Sequence, residues 1–236
     1  MHRSIRLLCF AALLNVVLSN CGKGDEKDAS TVKGWGTFVD PARDCQVKLH
    51  DGSVTITVPK THHNLNPTAK FDKNTDAPRI LQTVEGDFDV QVSVESFPIP
   101  EKGTSNNRGG HSYCGAGLVV WHNNKSFIRW FRAANGERGD TFYHCEWWND
   151  AQLGRLSYAP GLTNRERRIP NVTAHLRLKR EGHRITFYRS RDGKTWEAFV
   201  VLPDCPFGDK LQVGIAANNS ANKEFSPTFE NFKLTD

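Results

Sequence analysis

The densest group of residues able to do chemistry lies between Gly115 and Trp148. Three runs, Gly115–Trp121, Phe127–Ala134 and Thr141–Trp148, are apolar or aromatic at nearly every second position and carry isolated polar residues between. Extended chain sends successive side chains to opposite sides. One side then collects Leu118, Val120, Ile128, Trp130, Tyr143 and Trp147. The other collects Val119, Trp121, Arg129, Phe131, Phe142, His144, Glu146 and Trp148. On that second side, Trp121 and Trp148 offer flat apolar rings that suit the C–H face of a sugar. Arg129, His144 and Glu146 offer directional hydrogen bonds to hydroxyls. These five residues form the candidate ligand-binding set. The competing reading is a packed second layer with an internal Arg–Glu pair, and a slip of one residue in register would exchange the two faces.

Glu146 also invites an acid–base reading. Hydrolysis of a glycosidic bond takes two carboxyl groups about 5 to 9 Å apart. No spacing in this chain ties a second carboxylate to Glu146, and no Gly-x-Ser-x-Gly elbow occurs, so no catalytic residue is assigned. Asp72-Lys73-Asn74-Thr75-Asp76 alternates oxygen ligands as a calcium loop begins. Ala77 stands where Gly should follow, and Thr83 where the bidentate Glu would fall, which excludes an EF-hand. A solvated turn and a lectin-style calcium site remain as the two readings of that loop. No other cofactor is expected. The run Arg165–Arg168 reads as a solvated charged face, with contact to a polyanion as the alternative. Ser190–Trp196 reads as a structural turn capped by Asp192.

The amino terminus reads as an address. His2, Arg3 and Arg6 precede the apolar stretch Leu7–Leu18, whose twelve residues are too few to span a bilayer and suit a signal peptide. Leu18-Ser19-Asn20-Cys21 follows and resembles the lipobox of bacterial lipoproteins, which implies lipidation of Cys21. The rival is plain export with cleavage after Ser19. Residues 1–20 are thus expected to be a signal peptide, 21–33 the lipobox Cys and a flexible polar tether, and 34–236 one folded domain. Of six cysteines, Cys9 falls in the signal and Cys21 takes the lipid. That leaves Cys45, Cys114, Cys145 and Cys205 to form two disulfides or remain buried thiols. No Cys-x-x-Cys or Cys/His spacing suggests zinc, so no metal ligand is assigned.

The elements that must position these groups are strands. Val54–Val58, Phe88–Val94, Leu176–Lys179, Ile185–Tyr188 and Leu211–Ile215 all alternate apolar with polar residues. Asp51-Gly52, Asn123-Asn124, Asn135-Gly136 and Asp192-Gly193 punctuate them as turns. No helical period is sustained over three turns. With 38% hydrophobic and 10% aromatic residues, the 236-residue chain has the material for one large all-β core. A net charge of +5 is too weakly basic to suggest a nucleic-acid protein.

The order of several segments resembles the concanavalin A-like domains labelled "regulation of enolase protein 1". They are Asp76–Phe88, Gly115–Trp121, His175–Leu178, Tyr188–Trp196, Leu211–Ala217 and Phe229–Phe232, spread over roughly residues 45–235. The resemblance implies an all-β, two-sheet jelly-roll sandwich of about twelve antiparallel strands with a concave and a convex face, and it implies no established activity. It also points to a His-to-Arg loop, in which His63, Asp76 and Arg79 form one polar cluster that fastens the loop to the sheet or lines a pocket mouth. The expected function is an exported, lipid-anchored, non-catalytic module that binds a glycan or other envelope or environmental polymer and touches the membrane through its lipid alone. A glycan-active hydrolase or lyase and a structural envelope protein with a protein partner are the alternatives.

Overall fold

The computed structural model describes residues 30–68, 74–107, 110–154, 157–158 and 168–236. The signal segment, Cys21, Asp72, Lys73 and Arg165–Arg167 lie outside the described residues. In chain order the strands are β1 (Thr31–Val32), β2 (Gly36–Val39), β3 (Gln46–His50), β4 (Ser53–Thr57), β5 (Arg79–Glu85), β6 (Phe88–Val94), β7 (Tyr113–Asn123), β8 (Ser126–Asn135) and β9 (Asp140–Asn149). They continue with β10 (Gln152–Leu153), β11 (Ser157–Tyr158), β12 (Arg168–Ile169), β13 (Ala174–Glu181), β14 (Arg184–Ser190), β15 (Glu197–Leu202), β16 (Lys210–Asn219) and β17 (Thr228–Thr235).

They form two sheets with antiparallel pairing throughout. The first runs β1-β2-β5-β16-β7-β8-β9-β10, with β12 also on β9, and the second runs β11-β15-β14-β13-β6-β17-β4-β3. The all-β, two-sheet sandwich read from the alternation is the fold. Its seventeen described strands exceed the expected twelve because β1, β10, β11 and β12 have two residues each, too short to carry a period. Two of these extra residues, Thr31 and Val32, were read as the end of the tether. They pair with Thr37 and Gly36, and Val32 is buried.

Turn chemistry sets the register where the sequence signals it. Asp51 and Gly52 both take positive φ, 46° and 79°, so β3 and β4 close with His50 opposite Ser53. Gly36 has φ 123°, and a side chain there would run into the Leu81 carbonyl of β5, so this contact between β2 and β5 requires glycine.

The core between the sheets contains Leu118, Val120, Ile128 and Trp130 from the first sheet and Val90, Leu176, Leu178 and Phe187 from the second. Trp130 stacks on Tyr143 and Phe199 at centroid distances of 5.1 and 5.2 Å. Its Nε1 donates to the Tyr188 carbonyl across the sandwich at 3.0 Å, which satisfies the one polar atom of a fully buried ring. A second, smaller cluster covers the other side of the first sheet. Val119, Trp121, Phe127, Phe131 and Trp148 meet Leu65 and Ala77 there, two residues of the β4–β5 connection. The two faces divide as the alternation places them, and every residue of β8 is buried. Cys45, Cys114, Cys145 and Cys205 are thiols and make no disulfide, and burial pushes the Cys114 thiol up to about 12.

Candidate functional site

On the outer side of the first sheet, antiparallel register lays residues out in cross-strand rows. Trp121, Phe127 and Trp148 form one row. Val119, Arg129 and Glu146 form the next, then Gly117, Phe131 and His144, then Gly115, Ala133 and Phe142. The two glycines leave the sheet surface low on β7. A methyl group at Gly115 would come within 2.5 Å of the Tyr113 hydroxyl. The missing side chain therefore lets the Tyr113 ring lie along its own strand and bring its hydroxyl to His144 Nδ1 at 2.9 Å.

A continuous polar chain results. His144 Nε2 lies 2.9 Å from Glu146 Oε1. Arg129 donates through Nη2 to Glu146 Oε2 at 2.6 Å and through Nη1 to Asn64 Oδ1 at 3.2 Å. Asn64 belongs to the β4–β5 connection, and the Asn218 amide meets it at 2.7 Å from β16. Burial pushes the Glu146 carboxyl up, but Arg129 and His144 outweigh it and hold the group well below the usual carboxylate range. Burial depresses His144 and keeps it neutral, only partly offset by Glu146. A neutral imidazole beside an ionised carboxylate must donate through Nε2–H, so Nδ1 accepts from the Tyr113 hydroxyl. Burial pushes that phenol up, so it stays protonated. The protons from Tyr113 through His144 and Glu146 to Arg129 are thereby assigned.

These groups floor a cleft of about 590 Å³, walled by Phe142, Trp148 and Leu153 and rimmed by Arg138, Asp140 and Arg168. Asp140 accepts from Arg138 Nε at 3.1 Å and from Arg168 Nε at 3.0 Å. Two donors of the lining residues, Trp148 Nε1 and Arg129 Nε, are buried with no hydrogen-bond partner among the described residues. Asp140 and Glu146 are the two carboxylates among the cleft's described lining residues. Six residues of one strand separate them, which is about 20 Å at the usual strand rise.

Four of the five residues expected to bind ligand meet here: Arg129, His144, Glu146 and Trp148. Trp121 does not line the cleft. Phe127 stacks on its ring at 5.1 Å with an interplanar angle of 13°, and the Arg79 guanidinium lies 4.0 Å from the ring centroid. With its ring so covered, Trp121 packs. Sequence reasoning missed Tyr113, because the run was taken to start at Gly115, and Asn64, whose loop carries no periodic signal.

The polar loop cluster has a definite geometry. His63 is 1% exposed, and its Nδ1 faces Asp76 Oδ1 at 3.6 Å. Arg79 donates from the base of the same connection to the Ala77 carbonyl at 3.1 Å. Burial lowers the Arg79 guanidinium to about 10, against the pull of Asp76. Asn74 Oδ1 and Asp76 Oδ1 accept from the loop's own backbone, including Asn64 N at 3.3 and 3.4 Å. Those oxygens therefore hold the loop closed. Among the described residues, the one group of three with metal-ligand chemistry shares His63 with this cluster: Asp44, Cys45 and His63, whose ligand atoms lie within 4.8 Å of one another.

No protein-family model matches the chain, and no curated protein does. Solved structures share its fold. A functionally unknown protein from Saccharomyces cerevisiae superposes with TM-score 0.65 at 17% identity over 85% of this chain and 96% of its own. The GH43 protein BlXynB from Bacillus licheniformis gives TM-score 0.54 at 13% identity over 89% of this chain. A xylan beta-1,4-xylosidase from Bacillus halodurans gives 0.50 at 12% over 81%. This chain spans only 39% and 38% of those two proteins. At such identities the likeness is one of fold.

Proposed function

We propose that this protein is an exported, lipid-anchored glycan-binding module whose ligand lies in the cleft over β7, β8 and β9. One observation carries the reading: the Tyr113–His144–Glu146–Arg129–Asn64 chain is fully aimed before any ligand arrives, at the floor of an open cleft with aromatic walls. A sugar offers many hydroxyls and two differently apolar ring faces. Fixed donors and acceptors beside aromatic surface recognise it without the entropic cost of ordering them. Its volume falls within the usual range for small-ligand sites, about 300 to 1,000 Å³. Sharing a fold with part of a xylan beta-1,4-xylosidase supports the same direction.

Binding without hydrolysis is the better-supported form. A glycosidase pair stands about 5 to 9 Å apart, whereas Asp140 and Glu146 are some 20 Å apart by strand rise. Glu146, held ionised by Arg129 and His144, is also a poor proton donor. The envelope-partner alternative calls for a broad apolar patch. Among the described residues, the exposed large apolar ones, Leu49, Ile99, Leu153 and Val172, sit on separate elements.

The anchor is proposed from Leu18-Ser19-Asn20-Cys21 alone. Cys21→Ala should release the protein from the membrane fraction. Binding is tested with the full chain on a glycan array. Saturable binding to one sugar class, lost in His144→Ala, supports the reading. A folded protein that binds no glycan overturns it.

A further inference from the structure

We propose that Asp44, Cys45 and His63 form a binding site for one zinc ion, clamping the β2–β3 connection to the β4–β5 connection. The site lies outside the cleft, and its argument does not depend on the glycan reading.

The first support is metric. Zinc takes Cys, His and Asp together, at about 2.3 Å to sulfur and about 2.0 to 2.2 Å to nitrogen and oxygen in a tetrahedron. Those bond lengths require ligand atoms about 3.3 to 3.6 Å apart. Here His63 Nε2 lies 3.3 Å from Asp44 Oδ1, and Cys45 Sγ lies 3.6 Å from that same oxygen. Two edges of the tetrahedron are in place. The third pair of atoms is within 4.8 Å.

The second support is the setting of the histidine. Behind His63, the Asp76 carboxylate faces Nδ1 at 3.6 Å. A carboxylate facing the far nitrogen favours the tautomer that turns the Nε2 lone pair toward a metal, and it raises the basicity of that nitrogen. Nε2 points at Asp44, with the Thr61 hydroxyl 2.8 Å away.

The third is charge. Asp40 and Asp44 flank Cys45, and among the described residues neither carboxylate pairs with a Lys or Arg. Cys45 N donates to Asp40 Oδ2 at 2.8 Å, while Asp40 Oδ1 is buried with no hydrogen-bond partner. His63 Nε2 is the partner Asp44 has now, and a divalent cation would bring two positive charges to the same acidic group. Binding Zn²⁺ would release the Cys45 thiol proton to solvent and form the Zn–S bond. The thiolate and the Asp44 carboxylate would then cancel the ion's two charges.

The sequence spacing hides this site because Asp44-Cys45 and His63 come from two separate connections. Asn64, next to His63, contacts Arg129, so the ion would also steady the edge of the cleft.

Cobalt(II) is the probe. Added to the reduced full chain, one equivalent should give the intense visible bands of a tetrahedral centre and a near-ultraviolet thiolate-to-cobalt transition, both abolished by one equivalent of zinc. Cys45→Ser, a half-buried position whose fold is checked by circular dichroism, should lose the charge-transfer band. Asp76→Asn should weaken affinity about 10- to 100-fold while leaving the spectrum's form intact. Absence of tetrahedral bands overturns the proposal. So does a charge-transfer band that survives in Cys45→Ser, since it would belong to another thiol.

Discussion

Cutting the Arg129–Glu146 pair from one side leaves a charge with nowhere to go. The Arg129 side chain is 7% exposed, and its other described partners are the neutral amides of Asn64 at 3.2 Å and Asn218 at 2.9 Å. Breaking a buried pair by removing one member costs about 3–5 kcal/mol. Glu146 is 23% exposed, so some water can reach the orphaned guanidinium and Glu146→Ala belongs near the lower end, about 3 kcal/mol. The double variant Arg129→Met/Glu146→Leu leaves no unpaired charge. It loses the acceptor of His144 Nε2–H, which is about 1 kcal/mol. Urea unfolding of wild type, both singles and the double gives the cycle, and the double should be more stable than either single. If Glu146→Ala costs under about 1 kcal/mol, or the double is as unstable as the sum of the singles, the account of a desolvated and coupled pair is wrong. The double also separates fold from function. It should be folded and blind to any glycan that wild type binds.

Acid should weaken the protein. The Glu146 carboxyl is lowered from its free value of 4.5, so the unfolded chain takes up a proton that the folded chain refuses. The stability difference between wild type and Glu146→Gln should therefore be full above about pH 4.5 and shrink steadily below it, as read by denaturant midpoints across pH. Gly115→Ala should displace the Tyr113 ring and break its bond to His144. The expected cost is about 1–3 kcal/mol of stability, with glycan affinity falling alongside, and an unchanged binding curve would mean Tyr113 has no part in recognition. Trp148→Ala removes a ring that walls the cleft. Glycan affinity should drop about 5- to 10-fold, as about 1 kcal/mol of apolar contact is lost, whereas Trp121→Phe should leave affinity alone and register only in thermal stability.

Alternation is a local property, and it made the faces of β7, β8 and β9 readable: Arg129, His144, Glu146 and Trp148 share a side because their spacing obliges them to. What covers a face is not local. Trp121 has the same type and period as Trp148, yet Arg79 and Phe127 close over it while Trp148 borders open space. Nothing in the spacing distinguishes them. Asn64 and the Asp44–Cys45–His63 group were invisible for the same reason, since each depends on where a long connection folds back. The two-residue strands carry no period, and Tyr113 lies two residues ahead of Gly115, where the apolar run begins.

The chain enters the first sheet through β1, at the edge opposite β9. Six strand spacings separate them, about 29 Å along the sheet. Anything that held the chain ahead of Ser30 would therefore grip the domain by one margin, with the cleft near the far one. A small rotation about that grip would swing the cleft through a wide arc. Held at a surface, the domain would sweep a volume rather than wait at a point, and its capture radius would be set by the breadth of a sheet as much as by the length of a tether.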